Sequence, residues 1–287
     1  MMAEYTLLTD SCCDISDALL AEWQVRALQL DVLVDDEESQ KNNEVDLTAF
    51  YQKLRDGKMA RTSAINIATF RDAFEKELKA GRDVLYVAFS SGLSTTYQSG
   101  EIAASELREE YPDRKILTVD TLAASMGQGL LVYLAAQKRN AGASIEEVYQ
   151  YVLDNRLSLS HWFTVDDLFF LKRGGRVSGA VALVGTMLGI KPVLHVDNEG
   201  HLISMSKVRG RSAAIKALAD KFSETVLPDN EIVFISHGDC LEEARQLETI
   251  LKENCGVKEV LIGDIGPVIG AHSGPGTIAL FFLASQR

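Results

Sequence analysis

Three things are scarce in this 287-residue chain: positive charge, long apolar runs and paired cysteines. Lys and Arg number 29 against 41 Asp and Glu, for a net charge of −12. A field of that sign repels phosphate backbones and anionic membrane surfaces, so nucleic acid is not an expected partner. The longest nearly apolar stretch, residues 179–190, is too short to cross a bilayer and is broken by Gly185 and Thr186. Met1-Met2-Ala3-Glu4 carries no basic region ahead of an apolar one, which sets the expectation of a cytoplasmic protein. The four cysteines, at 12, 13, 240 and 255, form no C-x-x-C pair and have no His at metal-ligand spacing. Reduced thiols are expected, with neither a disulfide framework nor a metal site.

Nucleotide and hydrolase signatures are missing as well. There is no G-x-x-x-x-G-K-[ST] phosphate cradle, and the nearest approach to G-x-G-x-x-G, Gly127-Gln128-Gly129, lacks its third glycine. The G-x-S-x-G elbow of α/β hydrolases does not occur. These absences turn attention from chemistry to binding.

The chain does have the composition of a folded protein, 46% apolar and 24% charged. Its length lies where one core begins to divide into two. Apolar runs suited to buried strands fall at 5–9, 83–89, 115–119, 159–164, 231–237 and 257–262, separated by stretches of helical period. That alternation predicts α/β layers. Phe70, Ala73, Phe74 and Leu78 mark one helical face, and Gly81 follows as its stop. Ser144 with Glu147 has the spacing of a capping box and opens a helix running to about Asn155. A boundary there gives domains 1–155 and 156–287. In the second, Asp197-Asn198-Glu199-Gly200 reads as a hairpin turn between 191–196 and 201–208, so a mixed sheet is expected. The acidic run 35–38 reads as a solvated turn.

Three polar loop clusters remain. Ser90-Ser91-Gly92-Leu93-Ser94-Thr95-Thr96-Tyr97 stands between a strand and a helix, where free N–H groups suit a carboxylate or phosphate, although Ser and Thr favour such caps without any ligand. Arg61-Thr62-Ser63 precedes the Phe70 helix at a strand end or loop rim. The segment 265–276 places His272 among four Gly and two Pro.

Taken in order, these clusters resemble the DegV family of fatty-acid-binding proteins, the group that includes the FakB subunits of bacterial fatty acid kinase. The resemblance runs through Thr9-Asp10-Ser11, Thr62-Ser63, residues 90–98, Ala124-Ser125-Met126-Gly127, residues 171–178, Ile190-Lys191-Pro192-Val193-Leu194, Lys207-Val208-Arg209 and Gly266-Pro267-Val268-Ile269-Gly270-Ala271-His272. It implies a two-domain α/β fold, with a mainly parallel sheet flanked by helices in the N-terminal domain and a mixed sheet in the C-terminal one. It also implies a long-chain fatty acid in an apolar tunnel, its carboxyl group held by Thr62, Ser94 and His272. A separate kinase subunit would phosphorylate that carboxylate and feed phospholipid synthesis, so this chain would be a carrier with no ATP site and no cofactor. The same resemblance points to Arg173 and Arg211, beside Arg176 and Arg209, as a contact for kinase or phosphate. Two departures stand at Ala64-Ile65, where the family commonly has Gln-Pro, and at Thr95, where it commonly has Gly. A β-branched Thr95 is expected to stiffen that turn and narrow the head-group pocket. The competing reading is a small-molecule hydrolase or transferase using Ser94 with His272, and Asp10 as a carboxylate.

Overall fold

The computed structural model describes residues 5–177, 189–228 and 230–287. Most of the apolar stretch 179–190, and Ser178, lie outside the described residues. Thirteen strands form three sheets among those residues. β1 (Tyr5–Asp10), β2 (Val25–Leu28), β6 (Asp83–Ala88) and β7 (Ile116–Asp120) make a parallel sheet in the order β2-β1-β6-β7. β3 (Asp31–Val34), β4 (Gln40–Lys41) and β5 (Ala60–Ser63) form a small antiparallel sheet that the strand patterning did not announce. Its members have only two to four residues, too few for alternation to stand out.

β8 (Leu159–Thr164), β9 (Ile190–Val196), β10 (Leu202–Arg209), β11 (Ile232–His237), β12 (Glu259–Asp264) and β13 (Ile278–Leu283) build the third sheet, in the order β10-β9-β8-β13-β11-β12. It is mixed, as expected: β11 and β12 pair in parallel and every other pair is antiparallel. β9 and β10 form the expected hairpin. β12 starts two residues later than the apolar run suggests, because Val257 is taken up in the turn closing the preceding helix, where its N–H bonds to Leu251 O.

Ten helices accompany the sheets among the described residues: α1 (Asp17–Glu22), α2 (Leu47–Arg55), α3 (Ile67–Lys79), α4 (Thr96–Glu110), α5 (Met126–Asn140), α6 (Ile145–Asn155), α7 (Phe169–Gly174), α8 (Arg211–Thr225), α9 (Leu241–Cys255) and α10 (Pro267–Ser273). The Ser144–Glu147 capping box opens α6 as its spacing predicts. Phe70, Phe74 and Leu78 of α3 join Ala103 and Leu107 of α4 on one face of the parallel sheet. Leu130, Leu131, Val148 and Val152 of α5 and α6 cover the other face. Alternation along β8 and β13 turns Phe163, Ala279 and Phe281 toward α5, and Trp162, Leu280 and Phe282 toward α8 and α9. The layers run α3/α4, parallel sheet, α5/α6, mixed sheet, α8/α9, and α5 touches both large sheets.

Polar bonds join the halves beyond this packing. Ser90 Oγ donates to Gly200 O at 2.9 Å, tying the loop after β6 to the β9–β10 turn. Gly200 has φ +82°, and a Cβ built on it would stand 2.2 Å from Ser90 Oγ. Gly200→Ala is therefore expected to destabilise the protein by about 2 kcal/mol, from backbone strain and overpacking together. Denaturant titration checks this, and a loss below about 0.5 kcal/mol, the scale of an ordinary surface change, would show that the turn moves aside freely.

Candidate functional site

The C-terminal ends of β6 and β7, the strand end of β5, the whole of α10 and the inner faces of β8 and β13 converge on one cavity of about 430 Å³. Its rim carries half-buried Thr62, Ser94 and His272, with exposed Thr95 beside them. Its interior is walled by Phe89, Phe163, Leu171, Ile265, Val268 and Phe281, with Ser125, His161 and Thr277 as buried polar members. Thr62, Ser94 and His272 thus lie among the more exposed lining residues beside apolar Leu93, Leu202 and Ile269, the buried lining is mostly apolar, and the volume is in the size range of small-ligand sites.

Three residues far apart in sequence meet at that rim for local reasons. Thr62 stands in β5, paired with Val32 of β3. His272 is carried by α10, which starts with Pro267 at its first turn and packs on β5 and β3. Thr62 Oγ1 and His272 Nε2 are 2.8 Å apart. The other ring nitrogen, Nδ1, has no hydrogen-bond partner among the described residues and faces Gly174, where a Cβ would come within 2.4 Å of it. Burial, with the positive charges of Arg176 and Arg173 adding to it, depresses the His272 imidazole to about 4. The ring is therefore neutral at pH 7.

Ser94 lies just ahead of α4 and has two roles. Its Oγ accepts from Thr96 N at 3.2 Å and shares a proton with Thr96 Oγ1 at 2.9 Å, which supplies a partner for the helix start. The same side chain borders the cavity. Thr95, expected to stiffen the turn, takes φ −77° and ψ 2°, a conformation that any residue adopts without strain.

The arginines separate. Arg173, on α7, lies over the rings of Phe169 and Phe170 at 5.6 and 5.0 Å. Arg176 borders the cavity and bonds to Leu93 O and Gly174 O. Arg211 is only 16% exposed and is ion-paired with Glu243 and Asp166, away from the cavity lining. Arg209 is exposed at the end of β10. The hydrolase arrangement is not assembled, since Ser94 bonds to Thr96 rather than to His272. Asp10 is buried under Tyr86 OH and the N–H groups of Phe89 and Cys12. No carboxylate orients His272 among the described residues.

Sequence reading missed the interior wall. Phe163, Ala279 and Phe281 alternate along their strands as core residues do, and nothing in their spacing separates a cavity wall from a filled core. Ser125 was visible only as part of the Ala124-Ser125-Met126-Gly127 string. Among the described residues, no group of His, Cys, Asp and Glu is arranged to hold a metal, and no helix is long and apolar enough to cross a membrane.

This geometry defines a class: an α/β protein with a parallel and a mixed sheet that encloses an amphipathic cavity at their junction. Residues 4–285 match the model of the DegV family, described as a family of uncharacterised proteins, and the chain belongs to that family. It is 44% identical to a DegV domain-containing protein of Clostridium perfringens, covering 100% of this chain and 99% of that one. Among solved structures it resembles a fatty-acid-binding DegV protein of Thermus thermophilus, with a TM-score of 0.87, 30% identity, and coverage of 98% of this chain and 99% of that one. It also resembles a stearic-acid-binding protein of Eubacterium ventriosum, with a TM-score of 0.88, 25% identity and 98% coverage of both chains.

The depressed His272 value yields a direct test. Relative to an unfolded pKa near 6.5, the folded state resists protonation, so this residue's contribution to stability is present above about pH 6.5 and is lost as pH falls toward about 4. Proton NMR of the ligand-free protein should show the His272 ring neutral throughout pH 5 to 8. A midpoint above 6 would mean the ring is open to water.

Proposed function

We propose that this chain binds a long-chain fatty acid in the 430 Å³ cavity, with the tail among Phe89, Phe163, Leu171, Val268 and Phe281 and the carboxyl group at Thr62, Ser94 and His272. The observation that carries the reading is the cavity's amphipathic lining: hydroxyls and a neutral imidazole gathered among its half-buried members, and a mostly apolar buried wall. Solved DegV relatives that bind fatty acids share the fold. Residues 1–155 and 156–287 act as two lobes of one unit, closing on the acyl chain.

The energetics fit a carrier. A C16 acid has about fourteen methylenes, and burying each at roughly 0.8 kcal/mol gives a gross gain on the order of 11 kcal/mol. A hydrogen bond to the charged carboxylate adds about 1.5–3 kcal/mol, and association costs reduce the total. The tail supplies affinity and the rim fixes where the carboxylate sits. Thr62 Oγ1 and the Ser94 hydroxyl are the donors that reach an anion, and His272 Nε2 holds Thr62 in place.

In the fuller reading, a separate kinase subunit in the cytoplasm phosphorylates that carboxylate to an acyl-phosphate used in phospholipid synthesis. Arg173 is the better placed of the two proposed kinase contacts, because it precedes Gly174, which faces His272, and its charge acts on that ring, while Arg211 is committed to Glu243 and Asp166. Arg173→Ala should leave fatty-acid affinity nearly intact and slow acyl-phosphate formation by a cognate kinase, more so at low salt. Arg211→Ala should lower the melting temperature first. Equal phosphorylation rates in wild type and Arg173→Ala would return Arg173 to ordinary surface charge.

Calorimetric titration of delipidated protein with palmitate and oleate tests binding itself, and failure of both at micromolar concentration overturns the carrier reading. Ser94→Ala should weaken binding about tenfold to a hundredfold, the loss of one charge-assisted bond, while tail burial keeps some affinity. Its bond to Thr96 N, the first N–H of α4, adds a stability loss of about 0.5–1.5 kcal/mol, read separately by melting. Full affinity in Ser94→Ala would remove that residue from the site.

A further inference from the structure

The back wall of the acyl cavity holds a hydrogen-bond chain that the carrier reading leaves unused. Asp14 follows the short helical turn Ser11–Cys13 with φ 51°, a left-handed conformation. Its Oδ2 is 2.5 Å from Ser125 Oγ, and Ser125 Oγ is 3.0 Å from Ser236 Oγ. Its Oδ1 accepts from Gly266 N at 3.0 Å. Gly266 is the residue immediately before α10, and a Cβ there would meet Asp14 Oδ1 at 2.8 Å. One carboxyl group therefore touches the segment after β1, the start of α5, the end of β11 through Ser236, and the start of the helix that carries His272.

The position of the chain matters as much as its members. Ser125 borders the acyl cavity, while Asp14 borders a second cavity of about 360 Å³ on the other side. Ser125 itself is held at φ 53° and ψ −148°, a combination that costs free energy and persists only where surroundings enforce it. The charged and titratable groups around Asp14 are Asp10, Cys12 and Cys13 on its own segment, Asp17 at the start of α1, Asp264 at the end of β12 with His237 of β11 beyond it, and Tyr51 from α2. No Lys or Arg bonds to Asp14 among the described residues. Burial pushes the carboxyl up to about 7; the Ser125 and Gly266 donors oppose that, and Asp264 and Asp10 add to it.

Proton counting gives the consequence. With Asp14 ionised, the Ser236 hydroxyl donates to Ser125, Ser125 donates to Asp14, and Gly266 N–H donates to Asp14, so all three donors have acceptors. With Asp14 protonated, its O–H donates to Ser125 and Ser125 turns to Ser236. Ser236, fully buried and with no other partner among the described residues, then has a hydroxyl hydrogen with nowhere to go. The bond to Gly266 also loses its charge assistance.

We propose that Asp14 is a positioning residue whose protonation reverses the Asp14–Ser125–Ser236 chain and loosens the start of α10, so that fatty-acid retention is linked to pH. This rests on the fatty-acid reading above. No group transfer is involved; a proton is exchanged with solvent through the second cavity.

The test compares palmitate affinity of wild type and Asp14→Asn at pH 5.5 and 8.5, because the ratio cancels titration of the ligand itself. Asn tolerates the left-handed backbone and its amide mimics the protonated carboxyl, so the variant should fold. The two proteins should bind nearly equally at pH 5.5, and wild type about tenfold more tightly at pH 8.5, the size of one charge-assisted bond. Binding by both with a ratio that does not change with pH overturns the proposal. Ser236→Ala removes the stranded donor of the protonated form, so the midpoint of the pH profile should move upward, and an unmoved midpoint overturns the chain reversal.

Ligand-free melting keeps the two readings apart. Because the folded pKa of Asp14 is raised, its contribution to stability is full below about pH 4 and is lost as pH rises through about 7. Wild type should therefore lose stability relative to Asp14→Asn between pH 5 and 8. If wild type binds no palmitate at either pH, the carrier reading fails, and this melting difference then judges the joint alone, a flat difference overturning it.

Discussion

Helix α5 is buried against two sheets at once, and the rest of the molecule is arranged around that constraint. A helix so placed cannot present bulk on both sides, and its first turns carry glycine where the walls come nearest. A Cβ on Gly127 would stand 2.2 Å from His161 Nε2, and one on Gly129 would stand 2.6 Å from Ile15 Cδ1. The close approach lets Phe281 and Phe163 of the mixed sheet share a core with Leu85 and Val87 of the parallel sheet. It also fixes Ser125, the residue ahead of the helix, at the back of the cavity.

The second half of the chain closes that opening by sending α10 back across it. Tyr51 OH donates to Ile265 O at 2.8 Å, Asn42 Oδ1 accepts from Val268 N at 2.9 Å, and Asp14 accepts from Gly266 N. These three partners come from the first half of the chain, as does Thr62, the partner of His272. The two large sheets come from opposite sides of residue 155 in sequence, and the cavity lining draws on both sides. Thr62 and His272 meet only because α10 is packed against β3, β5 and α2.

What could be read in the sequence follows from how local the determining physics is. The α6 capping box, the stop at Gly81 and the β9–β10 turn are decided within a few residues, and each stands where its pattern placed it. The small β4-β3-β5 sheet is decided by tertiary pairing of segments too short to show alternation. Ser94 shows the limit of motif reading: capping and cavity lining were alternatives on paper, and the side chain does both. Arg211 shows another limit. Its basic neighbourhood in sequence suggests a steering patch, yet Glu243, 32 residues away, is its partner in space.

The neutral His272 decides how the mouth can work. A protonated imidazole would attract a carboxylate by charge, but burial and the nearby Arg173 and Arg176 hold this ring neutral at pH 7. Its Nε2 is already engaged with Thr62. On the proposed reading, a head group would be met by oriented hydroxyls, whose net worth is about 1 kcal/mol for a neutral pair and about 1.5–3 kcal/mol toward an anion. Such a site is selective for position rather than for strength. On that reading, tight holding is left to the tail, whose contribution scales with buried length. A rim of this kind can keep one carboxylate in one place while tolerating acyl chains that differ by a methylene or two.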